Sequence, residues 1–266
     1  MSFNRTFKYP SIPESSEQML DDLNDLLDIR EISPQEKYSF LLAISEVFTN
    51  AVIHGNQCNP EKTVKLTVIV NENELSADIE DEGQGGLKNI DNRQPSQPFD
   101  EGGRGIDLIE HYATAVGYSE SPAGGLKVSI KVLRQKGVLK YESWPEGNMN
   151  LKVREESGAR IIDLNGRLEL TTGKELKEKI KVFCDSGTTR IHLNMEQVEF
   201  INSSGLGALI SAMKEVRLVK GRLTLSNLAP YVREIFDITQ LAHIFEIHET
   251  EQAAFASPES VTVSQR

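Results

Sequence analysis

Residues Ser33 to Gly55 read SPQEKYSFLLAISEVFTNAVIHG, and the first half of the chain is organised around this stretch. Ser33, Pro34 and Glu36 supply an N-cap hydroxyl, a proline at the first helical position and the glutamate of a capping box, so a helix starts here. Leu41, Ile44, Phe48, Ala51 and Val52 then recur at helical spacing as a buried face, and Gly55 marks the stop. Glu46, Asn50 and His54 follow one another at i, i+4, which sets a carboxylate, an amide and an imidazole along one edge of the helix. Such an edge is either a plain solvent face or one wall of a polar site.

Before this helix, residues 3–9 alternate as an edge strand, and Met19, Leu20, Leu23, Leu26 and Leu27 mark a helix within 13–29. After it, Val64, Leu66, Val68 and Val70, then Leu75, Ala77 and Ile79, alternate strictly and predict a hairpin turning over 71–74. A short helix over 106–112 and a second hairpin, 113–118 with 126–133, complete a layer of helices on an antiparallel sheet. Between them, 81–105 is broken by glycines and prolines. The strand ends in Asp81-Glu82-Gly83-Gln84-Gly85-Gly86, where glycines let backbone approach a ligand and the aspartate can accept a hydrogen bond. Glu101-Gly102-Gly103-Arg104-Gly105-Ile106 leads into a helix whose first N–H groups form an anion site.

In this order the three segments resemble the ATPase superfamily shared by gyrase and the histidine kinases. Glu46 to Gly55 looks like its N-box, Asp81 to Gly85 its adenine-binding box and Gly103 to Ile106 its second glycine box. The Asn-Ala-x-x-His-Gly ending narrows the resemblance to the anti-sigma-factor serine kinases, over residues 1–135. The resemblance implies a Bergerat-type ATP-binding α/β sandwich and a role for each matching residue. Asn50 would ligate Mg²⁺, Asp81 would accept from the adenine amino group, and Gly83 and Gly85 would make room for the base. Gly103, Arg104 and Gly105 would contact the phosphates of ATP as part of a lid over 88–101 that orders when nucleotide binds. Glu46 would be the general base toward an attacking serine, and His54 would orient the helix end or pack there.

Residues 136–148, with Trp144-Pro145-Glu146-Gly147-Asn148, read as a linker, and 257–266 as a polar tail. Between them, strands are expected at 150–155, 160–165, 190–194, 223–226 and 244–247, and helices at 172–184, 203–219 and 230–237. That alternation favours a mixed sheet with packed helices, so the fold class is a two-domain α+β and α/β chain. Val198-Glu199-Phe200-Ile201-Asn202-Ser203-Ser204-Gly205-Leu206-Gly207 is a buried strand end followed by small polar residues at a helix start. Any of Asn202, Ser203 and Ser204 can cap that helix, and a serine there is also where an added phosphate meets free N–H donors. The stretch resembles the phosphoacceptor loop of STAS domains that act as anti-sigma-factor antagonists. Asn165-Gly166-Arg167-Leu168 and residues 188–194 extend that resemblance over 149–256. It implies Ser203 as the phosphoacceptor, with Ser204 in reserve. Asn202 stands where such loops usually carry aspartate.

The 266 residues are 38% hydrophobic and 26% charged with a formal net charge of -11, which argues against a general nucleic-acid binder. No secretory leader or spanning apolar run is evident, and Cys58 and Cys184 form no metal-spaced pair, so a cytoplasmic protein with reduced thiols is expected. Together the two resemblances imply a partner-switching regulator: a serine kinase fused to its substrate or docking domain. Two alternatives stand beside it, a nucleotide-gated binding scaffold without phosphoryl transfer and a kinase acting on a separate STAS protein. Implied partners are a sigma factor or other output protein, a STAS antagonist in the same chain or separate, a metal-dependent serine phosphatase and a second copy joined through the kinase half. A 13-residue linker spans up to roughly 45 Å, and short tethers hold sites at roughly millimolar effective concentration.

Overall fold

A computed structural model describes residues 3–28, 32–84, 87, 99–100, 103–134, 150–156 and 158–256. The expected linker, the expected tail, Gly85 and most of the expected lid lie outside the described residues. The first half opens with strand β1 (Phe3–Pro10), helix α1 (Ser15–Asp28) and helix α2 (Pro34–Asn50). Strands β2 (Thr63–Val70) and β3 (Glu74–Glu80), helix α3 (Gly105–Tyr112) and strands β4 (Ala115–Glu120) and β5 (Leu126–Leu133) follow. The strands form one antiparallel sheet in the order β1-β2-β3-β5-β4, with β1 at an edge as expected. Val64, Leu66, Val68 and Val70 all face inward, so the period-2 pattern of β2 becomes one wall of the core. The opposite wall is α1 and α2, whose Leu20, Leu23, Leu41, Ile44 and Phe48 are fully buried.

The capping box at Ser33 forms as read: Ser33 Oγ accepts from the Glu36 amide at 3.3 Å and Glu36 Oε2 accepts from the Ser33 amide at 3.0 Å. The helix does not run α-helically to Gly55. Over Ala51–Gly55 it widens into a π-helical turn, a feature that occurs mostly as single turns and often at functional sites.

The second half contains β6 (Asn150–Glu156), β7 (Ala159–Leu168), α4 (Leu170–Asp185), β8 (Arg190–Ile201), α5 (Ser203–Leu218), β9 (Arg222–Ser226), α6 (Pro230–Ile238), β10 (Glu246–His248) and α7 (Glu251–Ala256). Its sheet runs β10-β9-β8-β7-β6, parallel except for the antiparallel edge pair β6/β7. This is the mixed sheet expected, with β8 seven residues longer than the 190–194 reading and with α7 additional to it.

The halves pack on each other. The Tyr38 ring of α2 lies 6.0 Å from Phe200 and 5.1 Å from Tyr231, and Arg167 Nη2 donates to Asp21 Oδ1 at 2.7 Å. His111 of α3 stands 3.5 Å from Glu234 of α6. No helix among the described residues is long and apolar enough to cross a membrane.

Candidate functional site

Glu46 lies on α2 where that helix meets the start of α5, and only 1% of its surface remains exposed. A buried carboxylate needs donors for both oxygens, and the second half supplies them. The Ser203 amide donates to Glu46 Oε1 at 2.6 Å, and the Ser203 hydroxyl donates to Glu46 Oε2. One residue back on each element, Asn202 Nδ2 donates to Ser45 Oγ at 2.9 Å. Asn202 also caps α5, its Oδ1 accepting from the Gly205 amide at 3.1 Å, so of the three possible caps it is the one used. Burial pushes the Glu46 carboxyl up to about 7, and the two Ser203 bonds draw it back toward the usual carboxylate range without cancelling that rise.

The first turn of α3 closes on the same point. A methyl group added at Gly105 would lie 2.6 Å from Glu46 Oε2, 3.3 Å from Ser203 Oγ and 3.6 Å from Asn50 Nδ2. A carboxylate, a serine hydroxyl, an amide and a helix N-terminus therefore converge within a few ångströms. Beside them a cavity of about 600 Å³ opens between the halves, lined by Asn50, His54, Gly103, Ser203, Ser204 and Lys174 among others. Thr49 also lines it, and its buried hydroxyl has no partner among the described residues.

Asp81 forms a second centre at the end of β3. Its Oδ1 accepts from the amides of Gly83 at 2.8 Å and Leu126 at 3.1 Å, and its backbone oxygen accepts from Ser121 Oγ at 2.8 Å. Among the described residues nothing donates to Oδ2, although the residue is buried. Glycines are required around it because there is no room for a side chain. A methyl group at Gly55 would meet Asp81 Cγ at 2.5 Å, and one at Gly83 would meet Asp81 Oδ1 at 2.9 Å. Gly83 thus makes room for the Asp81 carboxylate and the Gly55 backbone. Gly125 packs against Asp81 in the same way, a methyl group there lying 2.3 Å from Asp81 Oδ1.

The remaining predicted residues fall as follows. Gly103 has a left-handed backbone (φ +90°) and lines the cavity. Arg104 is buried, and its guanidinium donates to the Asp100 carbonyl. His54 is exposed on the π-helical turn and lines the cavity, so of its two expected roles packing is not the one it fills. Ser204 lines the cavity without bonding to Glu46, which separates it from Ser203. Ser45, a direct partner of the α5 start, carried no signal in the sequence, since one more serine inside a helix is unremarked.

Helices on an antiparallel sheet joined to a mixed-sheet domain, with a glycine-lined aspartate in one and a serine at a helix start in the other, define a two-domain ATPase-like and antagonist-like protein. Residues 9–131 match the histidine kinase-like ATPase domain family, and residues 150–254 match the STAS domain family. The chain belongs to the STAS anti-sigma-factor-antagonist family through its second half and carries a histidine kinase-like ATPase domain in its first. BtrV of Bordetella bronchiseptica, whose name assigns it to the anti-sigma factor antagonists, is 30% identical over 109 residues, covering 41% of this chain and 94% of BtrV. The anti-sigma-B factor antagonist of Bacillus subtilis is 27% identical over 100 residues, covering 38% of this chain and 91% of its own length. The solved structure of the anti-sigma factor antagonist SpoIIAA in its unphosphorylated form aligns at 27% identity with a TM-score of 0.34, over 41% of this chain and 94% of that one.

Proposed function

We propose that this chain is an ATP-dependent protein serine kinase whose substrate is Ser203 of its own STAS half. The observation that carries the proposal is the pair of hydrogen bonds that Ser203 directs, through hydroxyl and amide, onto the single buried carboxylate of Glu46. A base must lie within hydrogen-bond reach of the proton it removes and have a pKa near the working pH, and Glu46 at about 7 meets both conditions.

The residues present fit ATP. Asp81 Oδ2 is an acceptor with no donor among the described residues, which suits an exocyclic amino group, and Thr49 leaves a buried hydroxyl at the cavity. Gly103 and Gly105, at the start of α3, would present backbone N–H groups to phosphate oxygens. Among the described residues no cluster of three or more His, Cys, Asp or Glu is set to hold a metal ion. A magnesium ion would therefore rely on the Asn50 oxygen, the substrate's own phosphates and water, an arrangement this ion favours. Bound there, it would neutralise charge developing on the phosphates.

In the reaction Glu46 takes the hydroxyl proton as Ser203 Oγ attacks the γ-phosphorus. The new O–P bond forms while the bond from that phosphorus to the β,γ-bridging oxygen breaks, and ADP departs with the electron pair. The proton remains on Glu46 until solvent exchange removes it. The names of the relatives support an output through sigma-factor control, in which the STAS surface around Ser203 is exchanged between this kinase half and a further protein.

Intact-mass measurement and peptide mapping after incubation with Mg²⁺ and ATP test the proposal. One added phosphate is expected on Ser203, absent from Glu46→Gln and Ser203→Ala. ATP binding with no phosphate on any serine would instead make the chain a nucleotide-gated scaffold, and phosphate passed only to an added STAS protein would make its own STAS half a docking module.

A further inference from the structure

The contact between the halves is a two-by-two match. Ser45 and Glu46, adjacent on α2, pair respectively with Asn202 and Ser203, adjacent at the start of α5. Both Asn202 and Ser45 are buried. The orientation of the Asn202 amide is fixed from behind, because its oxygen accepts from the Gly205 amide and only its nitrogen is left to face Ser45.

An aspartate at this position would cap α5 as well as asparagine does. The Ser45 hydroxyl could also turn and donate to it, so no hydrogen bond need be lost. What an aspartate would add is a second buried carboxylate one residue from Glu46. Among the described residues no cation is paired with Glu46 in the closed arrangement, although Lys174 and Lys177 line the adjoining cavity, so a second anion beside Glu46 would be buried without an ion-pair partner in place. Burying an unpaired charge costs several kcal/mol, and that cost would fall entirely on the closed state, since an opened α5 start is hydrated.

We propose that Asn202 is the specificity residue that lets this chain rest with its own STAS half docked on its own kinase half, where an aspartate would make the docking transient. The amide holds Ser45 without placing a charge beside Glu46, and it is the withheld charge that favours the closed form. A resident STAS half then covers Glu46 against competing substrates until Ser203 itself is modified. The inference deepens the in-chain reading above and rests on it for its purpose, but its test needs no ATP.

The Ser203 amide reports docking directly. As one of the first amides of α5 it has no acceptor within its own helix, and its acceptor is Glu46 of the other half. The Gly205 amide, held by the Asn202 cap, reports the integrity of the STAS fold. Residue-resolved amide exchange is measured on the nucleotide-free full chain and on Asn202→Asp. The expected result is exchange at Ser203 faster by at least about tenfold, with Gly205 unchanged. Unchanged exchange at Ser203 would overturn the proposal and leave Asn202 a helix cap that aspartate replaces. If Asn202→Asp also frees Gly205, adding Glu46→Gln to that variant decides from the other side of the contact: slower exchange at Ser203 than in Asn202→Asp alone supports the proposal, and an undiminished rate overturns it. Failure to find phosphate on Ser203 in the mass measurement would leave this result standing, so the two ideas fail separately.

Discussion

At the scale of single residues, the chemistry turns on a carboxylate whose environment comes from elsewhere in the chain. Glu46 was legible as a candidate because Asn50 and His54 share its helical edge, yet a solvent face would have shown the same spacing. Its burial was not legible, because the groups that cover it are 157 positions away. The elevated pKa makes two pH dependences run in opposite directions. As a base, Glu46 works only when ionised, so the phosphorylation rate should rise about tenfold per pH unit below pH 7 and level off above it. For stability the sign is reversed: the folded pKa of about 7 lies above the unfolded value of about 4.3. The stabilising contribution is therefore complete below the unfolded value and is lost as pH rises through 7. Single-turnover rates and thermal melts from pH 5 to 9 check both. A rate that is flat across neutrality would remove Glu46 from the base role.

Among the elements, α2 was legible to the residue at its N-terminus, because a capping box is a local device whose two bonds connect residues three apart. Both hairpins of the first half were legible for the same reason, alternation and turn being short-range. The strand end at 198–201 was legible from its apolar residues, but its continuity with 190–194 was not, since Glu196 and Gln197 are polar and the strand is carried past them by the pairing of Gln197 with Asn165 and Val198 with Gly166 across register shifts in β7. The six-residue α7 is too short to show a period. Helix α3 gives the sharpest contest between local and tertiary forces. Alanine in place of Gly105 would improve helix propensity by about 1 kcal/mol, but its methyl would press on Glu46 Oε2 and Ser203 Oγ. The tertiary term should win for function: Gly105→Ala is expected to melt within a few degrees of the parent while its phosphorylation rate falls at least about tenfold, a 1.4 kcal/mol effect. Parallel melts and rates decide it, and a variant with undiminished rate would mean that α3 does not close on the reacting atoms.

The molecule as a whole is held closed by contacts of unequal worth. The His111–Glu234 pair is exposed and contributes little. Arg167 is buried with Nε and Nη1 lacking a hydrogen-bond partner among the described residues, so its bond to Asp21 offsets only part of its desolvation. The Tyr38, Phe200 and Tyr231 cluster and the adjacent Ser203–Glu46 and Asn202–Ser45 pairs contribute more. Phosphorylation acts on the Ser203–Glu46 pair at its centre. A phosphoserine removes the hydroxyl donor from Glu46 and sets a charge of about −1.5 to −2 beside that carboxylate. Because the repulsion falls on the buried pair at the centre of the contact, it should separate the halves there, exposing the α5 start as a surface another protein can bind. In solution scattering the unphosphorylated chain is expected near the radius of gyration of a compact body of this length, about 18 Å. After incubation with Mg²⁺ and ATP the radius should increase by several ångströms, whereas Ser203→Ala under the same conditions should not change. A stoichiometrically phosphorylated chain that stays compact would show that Glu46 tolerates the phosphate, and the switch would then have to lie in surface chemistry rather than in opening.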